Sequence, residues 1–132
     1  MSRSGRANMG CVCGSPAAYS ACCGPLHRRS LPAPTAERLM RSRYSAFVKQ
    51  LDAYLAYSWD PSTAPTEVSF RDGQEWTGLE IVDTELGGPD DATGIVEFVA
   101  SYRIGGRDRA LRERSRFVRH EGRWVYLDGQ VD

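Results

Sequence analysis

The sequence lacks the features that mark a membrane protein or a common type of enzyme. No apolar run approaches the roughly 20 residues that a helix needs to cross a bilayer. Neither a phosphate-binding glycine loop, nor an H-E-x-x-H helix, nor a G-x-S-x-G elbow occurs. His27 and His120 stand in no pattern that pairs a nucleophile with a base. We therefore expect no membrane association, predict no catalytic residue, and favour a binding role over catalysis.

Cysteine is scarce, and its four copies stand together. They lie within thirteen residues in the pattern C-x-C-x8-C-C, as Cys11, Cys13, Cys22 and Cys23. Four thiolates suit a tetrahedral zinc ion and leave no open coordination position, so the spacing predicts one structural Zn²⁺. Disulfides are the alternative, but the cysteines within each pair are too close for easy unstrained bridging. Disulfides also belong to secreted chains, and no secretory segment precedes the cysteines, so we expect a cytoplasmic protein. A redox dithiol or free thiols stay open as further alternatives.

Lysine is nearly absent, and the charges are unevenly distributed. Sixteen arginines accompany the single lysine, Lys49. Residues 1–49 carry eight bases and one acid, residues 50–98 one base and eleven acids, and residues 99–132 eight bases and five acids. The basic first third permits an RNA, ribosome or acidic-protein partner. Bases beside a thiolate site also balance its charge, and we favour that role.

Length and composition are those of one folded core with an appendage. The 132 residues are 41% hydrophobic, which is ordinary for a globular domain. Residues 1–10 are rich in Ser, Arg and Gly without periodicity, and are predicted to form a flexible tail. We divide the chain into two parts. Residues 1–30 comprise this tail and the cysteine-bearing segment, which we call the zinc knuckle, and residues 31–132 form a larger domain.

Two helices are predicted after a proline-containing linker at residues 31–34. Thr35 suits a helix N-cap, and apolar residues recur at three- and four-residue intervals as far as Leu51. A second short helix is expected after Asp52, ending before Pro61. The opposite, more polar side of the first helix is expected to carry Arg38, Arg41, Ser42, Ser45 and Lys49. Earlier, Cys22 and Cys23 are expected to open a helical turn that Gly24-Pro25 ends.

Strand patterns dominate the second half. Val68 to Phe70 alternates and precedes Asp72-Gly73, which favours a short strand over a helical turn. Longer alternating segments predict strands over residues 76–86, 95–104, 111–119 and 123–127. Adjacent antiparallel strands are the simplest topology, and helices followed by a sheet give an α+β fold. The helices are expected to cover one face of a curved antiparallel sheet.

Two sets of motifs resemble known families. Cys11-x-Cys13-Gly14-Ser15, followed by Tyr19 and Cys22-Cys23-Gly24, resembles the SEC-C motif, the zinc element at the C-terminus of the SecA translocation ATPase. The rest resembles the bacterial YchJ family, which carries that motif at its N-terminus, in the runs at residues 36–48, 76–81, 94–98, 113–117 and 122–129. The resemblance implies a zinc knuckle and a cone-shaped domain of the nuclear transport factor and ketosteroid isomerase superfamily. It names no biochemical activity.

The sheet pattern singles out one carboxylate. Side chains alternate along a strand, so Glu113 and Ser115 share a face with Leu111 and Phe117. A carboxylate on the apolar side needs a partner, and Arg43 or Tyr44 on the first helix could supply one. We expect Glu113 to be largely buried in a structural ion pair. The alternative is a ligand cavity, whose candidate wall residues are Arg43, Tyr44, Tyr102, Glu113 and Ser115.

Three functions follow as hypotheses. The first is a protein-interaction module that docks on an unidentified protein through the zinc knuckle. In SecA the resembling motif contacts the chaperone SecB, but this chain reads Gly14-Ser15-Pro16-Ala17-Ala18-Tyr19, where the family motif commonly has two lysines before the tyrosine. The resemblance to the SecA motif therefore implies protein interaction in general and not binding to SecB. The second is a small-ligand binder or pocket enzyme that uses the cone cavity, and the third is RNA or ribosome binding through the first third.

The zinc knuckle is too small to have a core of its own. Its stability is therefore expected to come mostly from the metal. On this basis, metal removal is expected to unfold residues 10–25 and to leave the larger domain folded.

Overall fold

The computed structural model describes residues 10–131. A 3-10 turn at Tyr19–Ala21 precedes helices α1 (Cys23–His27), α2 (Ala36–Lys49) and α3 (Asp52–Tyr57). Four strands follow: β1 (Glu75–Leu86), β2 (Thr93–Ile104), β3 (Arg107–His120) and β4 (Arg123–Val131). They pair antiparallel in the order β1-β2-β3-β4. The predicted α+β meander is confirmed, while the predicted flexible tail lies outside the described residues except for Gly10.

Helix α2 begins where the sequence predicts. The Arg38 backbone N–H donates to Thr35 Oγ1 at 3.1 Å, which caps the first turn. The Ala36 N–H donates to the Gly87 carbonyl at 2.9 Å, so the loop after β1 holds the start of the helix. Gly87 has a left-handed φ of 82°, and a side chain there would strike Ala36. This contact fixes α2 against the sheet.

The polar side of α2 is more buried than predicted. Ser42 and Ser45 are fully buried, and Arg43 is 4% exposed. Ser42 Oγ donates to the Leu39 carbonyl at 2.7 Å and lies 2.7 Å from the Tyr54 hydroxyl of α3. Ser42 and Ser45, which the sequence pattern places on the polar side of the helix, are buried because α2 packs against the sheet on one side and against α1 and α3 on another.

The sheet contributes the predicted apolar face. Val96, Phe98 and Ala100 of β2 are buried, and they belong to the same core as Phe117 and Trp124. Alternate residues of β2 therefore point toward α2, as strand geometry requires. Burying these side chains supplies most of the driving force that holds α2 on the sheet.

The segment before β1 contains no strand, so the prediction for residues 68–70 is wrong. Val68 and Phe70 instead pack on the helices, against a cluster that contains Tyr54 and Leu55. The Phe70 and Phe47 ring centroids lie 6.2 Å apart. Contact with helices, rather than pairing with a strand, accounts for the apolar alternation.

The zinc knuckle joins the main core instead of standing apart. All four cysteines are buried, and they cluster with Leu39, Met40 and Tyr44 of α2. The expectation that Gly24-Pro25 ends the helical turn is wrong: Pro25 lies in the first turn of α1, where its missing N–H costs no helical hydrogen bond. Independent folding of residues 1–30 and 31–132 stays a prediction.

No helix within residues 10–131 combines the length and the apolar character needed to cross a membrane.

Candidate functional site

The four cysteine sulfurs converge on one point. Their Sγ atoms all lie within 4.8 Å of one another. Cys13 Sγ lies 3.7 Å from Cys22 Sγ, which in turn lies 4.0 Å from Cys23 Sγ. Four sulfurs around a zinc ion with Zn–S bonds of about 2.3 Å would be separated by about 3.8 Å. The cysteines are free thiols, so the arrangement fits a metal ion and not a disulfide.

Short turns place the two cysteine pairs. Gly14 adopts a left-handed φ of 96°, and its N–H donates to the Cys11 carbonyl at 3.0 Å, so the chain reverses directly after Cys13. The Cys11 N–H then donates to the Ala17 carbonyl at 2.7 Å. Cys22 directly follows the 3-10 turn, and Cys23 begins α1. Both pairs therefore lie on tight, locally bonded backbone.

Electrostatics of the thiols also favour a cation. A hydrogen bond with Cys23 lowers the pKa of Cys13 to about 5. The same bond raises the pKa of Cys23 far above its ordinary value, and burial raises the pKa of Cys22. One ionised thiol thus suppresses ionisation of its neighbours. Four thiolates in this buried space require a divalent cation to balance their charge.

Two arginines of α2 attach the zinc knuckle to the larger domain. Arg41 Nη1 donates to the Cys13 carbonyl at 2.8 Å, and Arg38 Nη2 donates to the Cys22 carbonyl at 3.2 Å. Both contacts place positive charge beside the sulfur cluster. Arg41 is also held by Glu37 at 3.0 Å.

A tyrosine–histidine chain, which sequence reasoning missed, makes a third attachment. His27 Nε2–H donates to the Ser42 carbonyl at 2.8 Å, so its Nδ1 accepts from the Tyr19 hydroxyl at 2.7 Å. Burial lowers the pKa of His27 and keeps the ring neutral, as this pattern requires. The Lys49 ammonium lies 4.3 Å from the Tyr19 ring centroid. The spacing of Tyr19 and His27 offers no motif from which the chain could be inferred.

The five candidate pocket residues line one cavity. Arg43, Tyr44, Tyr102, Glu113 and Ser115 surround a space of about 440 Å³ between the helices and the sheet. Further walls, which sequence reasoning did not assign to a pocket, come from Phe47, Trp59, Arg71, Gln74, Trp76 and Tyr126. The volume falls in the range of small-molecule sites, and most of the wall residues are aromatic or aliphatic.

Glu113 is fixed by hydroxyl groups and not by a cation. Its Oε2 accepts from Ser115 Oγ at 2.6 Å and from the Tyr126 hydroxyl at 3.1 Å. The residue is half-buried, and a side chain at Gly129 would collide with its carboxylate. The expected ion pair with Arg43 and the expected deep burial of Glu113 are both wrong, because β4 supplies Tyr126 as a nearer partner.

Arg43 lies behind Glu113 with partners of its own. Its Nη1 donates to the Leu55 carbonyl at 3.0 Å and to Ser58 Oγ at 2.7 Å. Its guanidinium carbon lies 4.8 Å from the Trp59 ring centroid and 4.7 Å from that of Tyr126. Burial lowers the pKa of Arg43 to about 10, so the group is still charged at neutral pH.

Substitution of Glu113 tests the hydroxyl network. Glu113→Ala leaves the fully buried Ser115 hydroxyl without its acceptor, so we expect a loss of roughly 1–3 kcal/mol in the free energy of unfolding. Glu113→Gln keeps an acceptor oxygen and is expected to cost less. Glu121→Ala, on an exposed turn, is the control and is expected to change stability by under about 0.5 kcal/mol. Urea denaturation midpoints measure all three, and a Glu113→Ala midpoint equal to that of the wild type would contradict the network.

Two curated relatives are similar to the chain over most of its length. A UPF0225 protein from Streptomyces avermitilis is 52% identical over 120 residues, covering 91% of this chain and 83% of the relative. A UPF0225 protein from Methylibium petroleiphilum is 51% identical over 123 residues, covering 92% and 88%. Neither name states an activity.

Two solved structures and one family model agree with these relatives. The solution structure of a SEC-C motif containing protein from Rhodopseudomonas palustris has a TM-score of 0.82 and 33% identity, and the match covers 94% of this chain and 99% of that one. The crystal structure of a SEC-C motif containing protein from Psychrobacter arcticus has a TM-score of 0.74 and 28% identity, with 92% and 82% covered. Residues 35–129 match the family model described as the YchJ middle NTF2-like domain, which confirms the resemblance found in the sequence. The chain therefore belongs to the YchJ family, and its curated relatives carry the name UPF0225.

Proposed function

We propose that the zinc knuckle holds one structural zinc ion. The support is the approach of four buried sulfurs to the spacing of a tetrahedral site, together with a thiol chemistry that needs a divalent cation. The carbonyl contacts of Arg38 and Arg41 would orient the cysteine backbone around the ion. Four protein ligands leave no open position for a substrate, so the role of the ion is to hold the chain together.

Metal analysis tests the site directly. Protein purified without added zinc is expected to carry close to one equivalent, measured by inductively coupled plasma mass spectrometry. Cys22→Ser removes one ligand and is expected to lower zinc occupancy, since affinity depends on the full set of thiolates. Titration of free thiols checks the alternative. Protein that contains no metal and has two disulfides would contradict a zinc site.

We further propose that the larger domain binds a small organic ligand in its cavity. The carrying observation is that Arg43 and Glu113, each fixed by its own partners, face an aromatic space of about 440 Å³. Convergent polar groups on apolar walls are the usual composition of a ligand site. We propose binding only. A pocket enzyme, the other form of this hypothesis, would use the same cavity for catalysis.

Filling the cavity from the sheet tests ligand binding. Ala100 lines the space from β2, so Ala100→Phe would occupy part of it. The neighbouring Ser101 points to the other face of the strand, so Ser101→Phe is the matched control. In ligand-observed NMR with a set of ring-containing fragments, binding is expected for the wild type and the control and not for Ala100→Phe. Equal binding by all three proteins would overturn the cavity proposal.

Protein docking through the zinc knuckle is a second candidate. Its support is the exposure of small apolar side chains on the cysteine loops: Val12 is 46% exposed, and Pro16 and Ala18 are also exposed. Affinity capture should compare the wild type with Val12→Asp and with Ala100→Phe. A partner lost only with Val12→Asp supports docking through the knuckle, and capture that is the same for all three removes it.

The structure offers less support for RNA or ribosome binding. Arg38, Arg41 and Arg43 of the basic first third all donate to internal carbonyl groups. The contacts of Arg38 and Arg41 with the cysteine carbonyls support the charge-balancing role favoured from the sequence. We therefore do not propose a nucleic-acid partner.

A further inference from the structure

The two carboxylate oxygens of Glu113 differ in their hydrogen bonds to the described part of the chain. Oε2 accepts from Ser115 and Tyr126, whereas Oε1 has no hydrogen-bond partner within residues 10–131. The carboxylate lies on the cavity wall. A carboxylate oxygen left without a donor in a partly desolvated place is unfavourable unless water or a ligand supplies one. The cavity therefore contains an acceptor that a bound molecule can satisfy.

The local structure holds this acceptor in place. Ser115 neighbours Glu113 on the same face of β3, and Tyr126 reaches it from β4. Gly129 pairs with Ser115 across the strands, and any side chain there would displace the carboxylate. An acceptor fixed by two hydroxyl donors and by a glycine needs little reorganisation when a ligand binds.

The charges around the cavity limit the ligand. Arg43 and Arg71 are the basic residues on its walls, and Glu113 is the acidic one. A cationic ligand that reached Glu113 would lie near the buried charge of Arg43, whereas an anionic ligand would be repelled by Glu113 itself. A neutral molecule with a hydrogen-bond donor avoids both costs.

The aromatic walls limit its shape. Trp76 packs edge-on against Tyr102, with ring centroids 5.3 Å apart, and against Tyr44 at 6.1 Å. These side chains give the cavity flat apolar surfaces, which favour a flat ring over a flexible chain. A ring also loses little conformational entropy on binding.

We propose that the cavity binds a neutral, flat, ring-containing molecule that donates an N–H or O–H to Oε1 of Glu113. This inference rests on the proposed ligand-binding function of the cavity and adds the class of ligand and the residue that recognises it. Ser115, Tyr126 and Gly129 act as positioning residues for the carboxylate.

Indole and 1-methylindole are suitable probes, because they share a ring system and differ in one N–H donor. Their affinities are measured by titration of the isotope-labelled, metal-loaded protein, with the backbone amides of β2 and β3 as reporters. Indole is expected to bind roughly tenfold more tightly than 1-methylindole, since a hydrogen bond to a charged acceptor changes affinity by about this factor. Tryptamine, which is cationic, and indole-3-acetate, which is anionic, are expected to bind more weakly than indole.

Two variants assign the preference to the carboxylate. In Glu113→Gln the amide oxygen takes over the bonds from Ser115 and Tyr126, so an NH₂ group faces the cavity and the preference for indole disappears. Gly129→Ala displaces the carboxylate and is expected to have the same effect. Both variants should keep the wild-type affinity for 1-methylindole, which shows that the cavity is intact.

The possible failures are distinguishable. If neither ring binds at the cavity, both this inference and the ligand-binding proposal for such molecules are overturned. If the two rings bind equally, the cavity binds ligands but the donor to Glu113 is wrong. If the preference survives in Glu113→Gln, or if tryptamine binds more tightly than indole, the assignment to a neutral donor at Oε1 is overturned.

Discussion

Removal of zinc is expected to destabilise the larger domain as well as the zinc knuckle. The four cysteines lie in the same core as Leu39, Met40 and Tyr44 of α2, so loss of the ion exposes part of that core. Zinc binding to small knuckles is worth roughly 10–16 kcal/mol, whereas the whole stability of a domain is about 5–15 kcal/mol. Even a fraction of the binding energy therefore matters for the full chain.

Amide hydrogen exchange with and without a chelator measures the extent of this loss. We expect lower protection in residues 10–27 and in α2, whose Arg38 and Arg41 contact the cysteine carbonyls. The strands β3 and β4 are expected to keep more of their protection. Cys22→Ser is the control, because a chelator should add little once a ligand is missing.

The opposing outcome is the one expected from the sequence alone. If the chelator removes protection only in residues 10–25 and leaves α2 unchanged, the knuckle and the larger domain are independent units. The contacts of Arg41, Arg38 and His27 with the opposite part would then contribute little to stability.

The fold was predictable where burial follows a simple period. Helix α2 has apolar residues at three- and four-residue spacing, and β2 alternates from Val96 to Ala100, so each element shows its buried side in the sequence. Thr35 and the glycines of the turns mark their ends. The cysteine pattern is equally direct, because four thiols with this spacing have few other uses.

The sequence pattern fails for residues whose contacts come from a helix or strand elsewhere in the chain. Ser42 looks exposed on an isolated helix, but Tyr54 of α3 covers it. Val68 and Phe70 alternate like a strand, although their contacts are helical side chains. The local pattern contains no information about which distant element arrives on the other side.

The cavity shows the same limit. Strand alternation placed Glu113 and Ser115 on the inner face, and the structure places both on the cavity wall. Their partner Tyr126 comes from β4, whose pairing with β3 shifts in register between Arg116 and Phe117. An irregularity of this kind changes which residues face each other and has no signature in the sequence. Arg43 was therefore assigned the wrong partner.

Replacement of Arg43 is expected to show that packing, rather than charge, is its main contribution to stability. Burial lowers the pKa of Arg43 to about 10, which corresponds to a cost of about 3 kcal/mol for keeping the charge buried. Its hydrogen bonds return roughly 1.5–3 kcal/mol. Its contacts with the rings of Trp59 and Tyr126 are packing contacts, and an apolar side chain of similar size would keep most of them. The cost of burying the charge and the gain from its hydrogen bonds thus nearly cancel. The net contribution of Arg43 to stability is therefore expected to come from the packing of its side chain.

Two substitutions separate volume from charge. Arg43→Ala deletes the volume between Trp59 and Tyr126 and is expected to lower the free energy of unfolding by roughly 2–5 kcal/mol. Arg43→Met keeps most of the volume without the charge, and is expected to cost less than about 1.5 kcal/mol. Arg109→Ala, an exposed arginine of β3, is the control and should leave the urea midpoint near that of the wild type. If Arg43→Met is as damaging as Arg43→Ala, the charge itself is needed in the core, and long-range attraction to Glu113 holds the helix on the sheet after all.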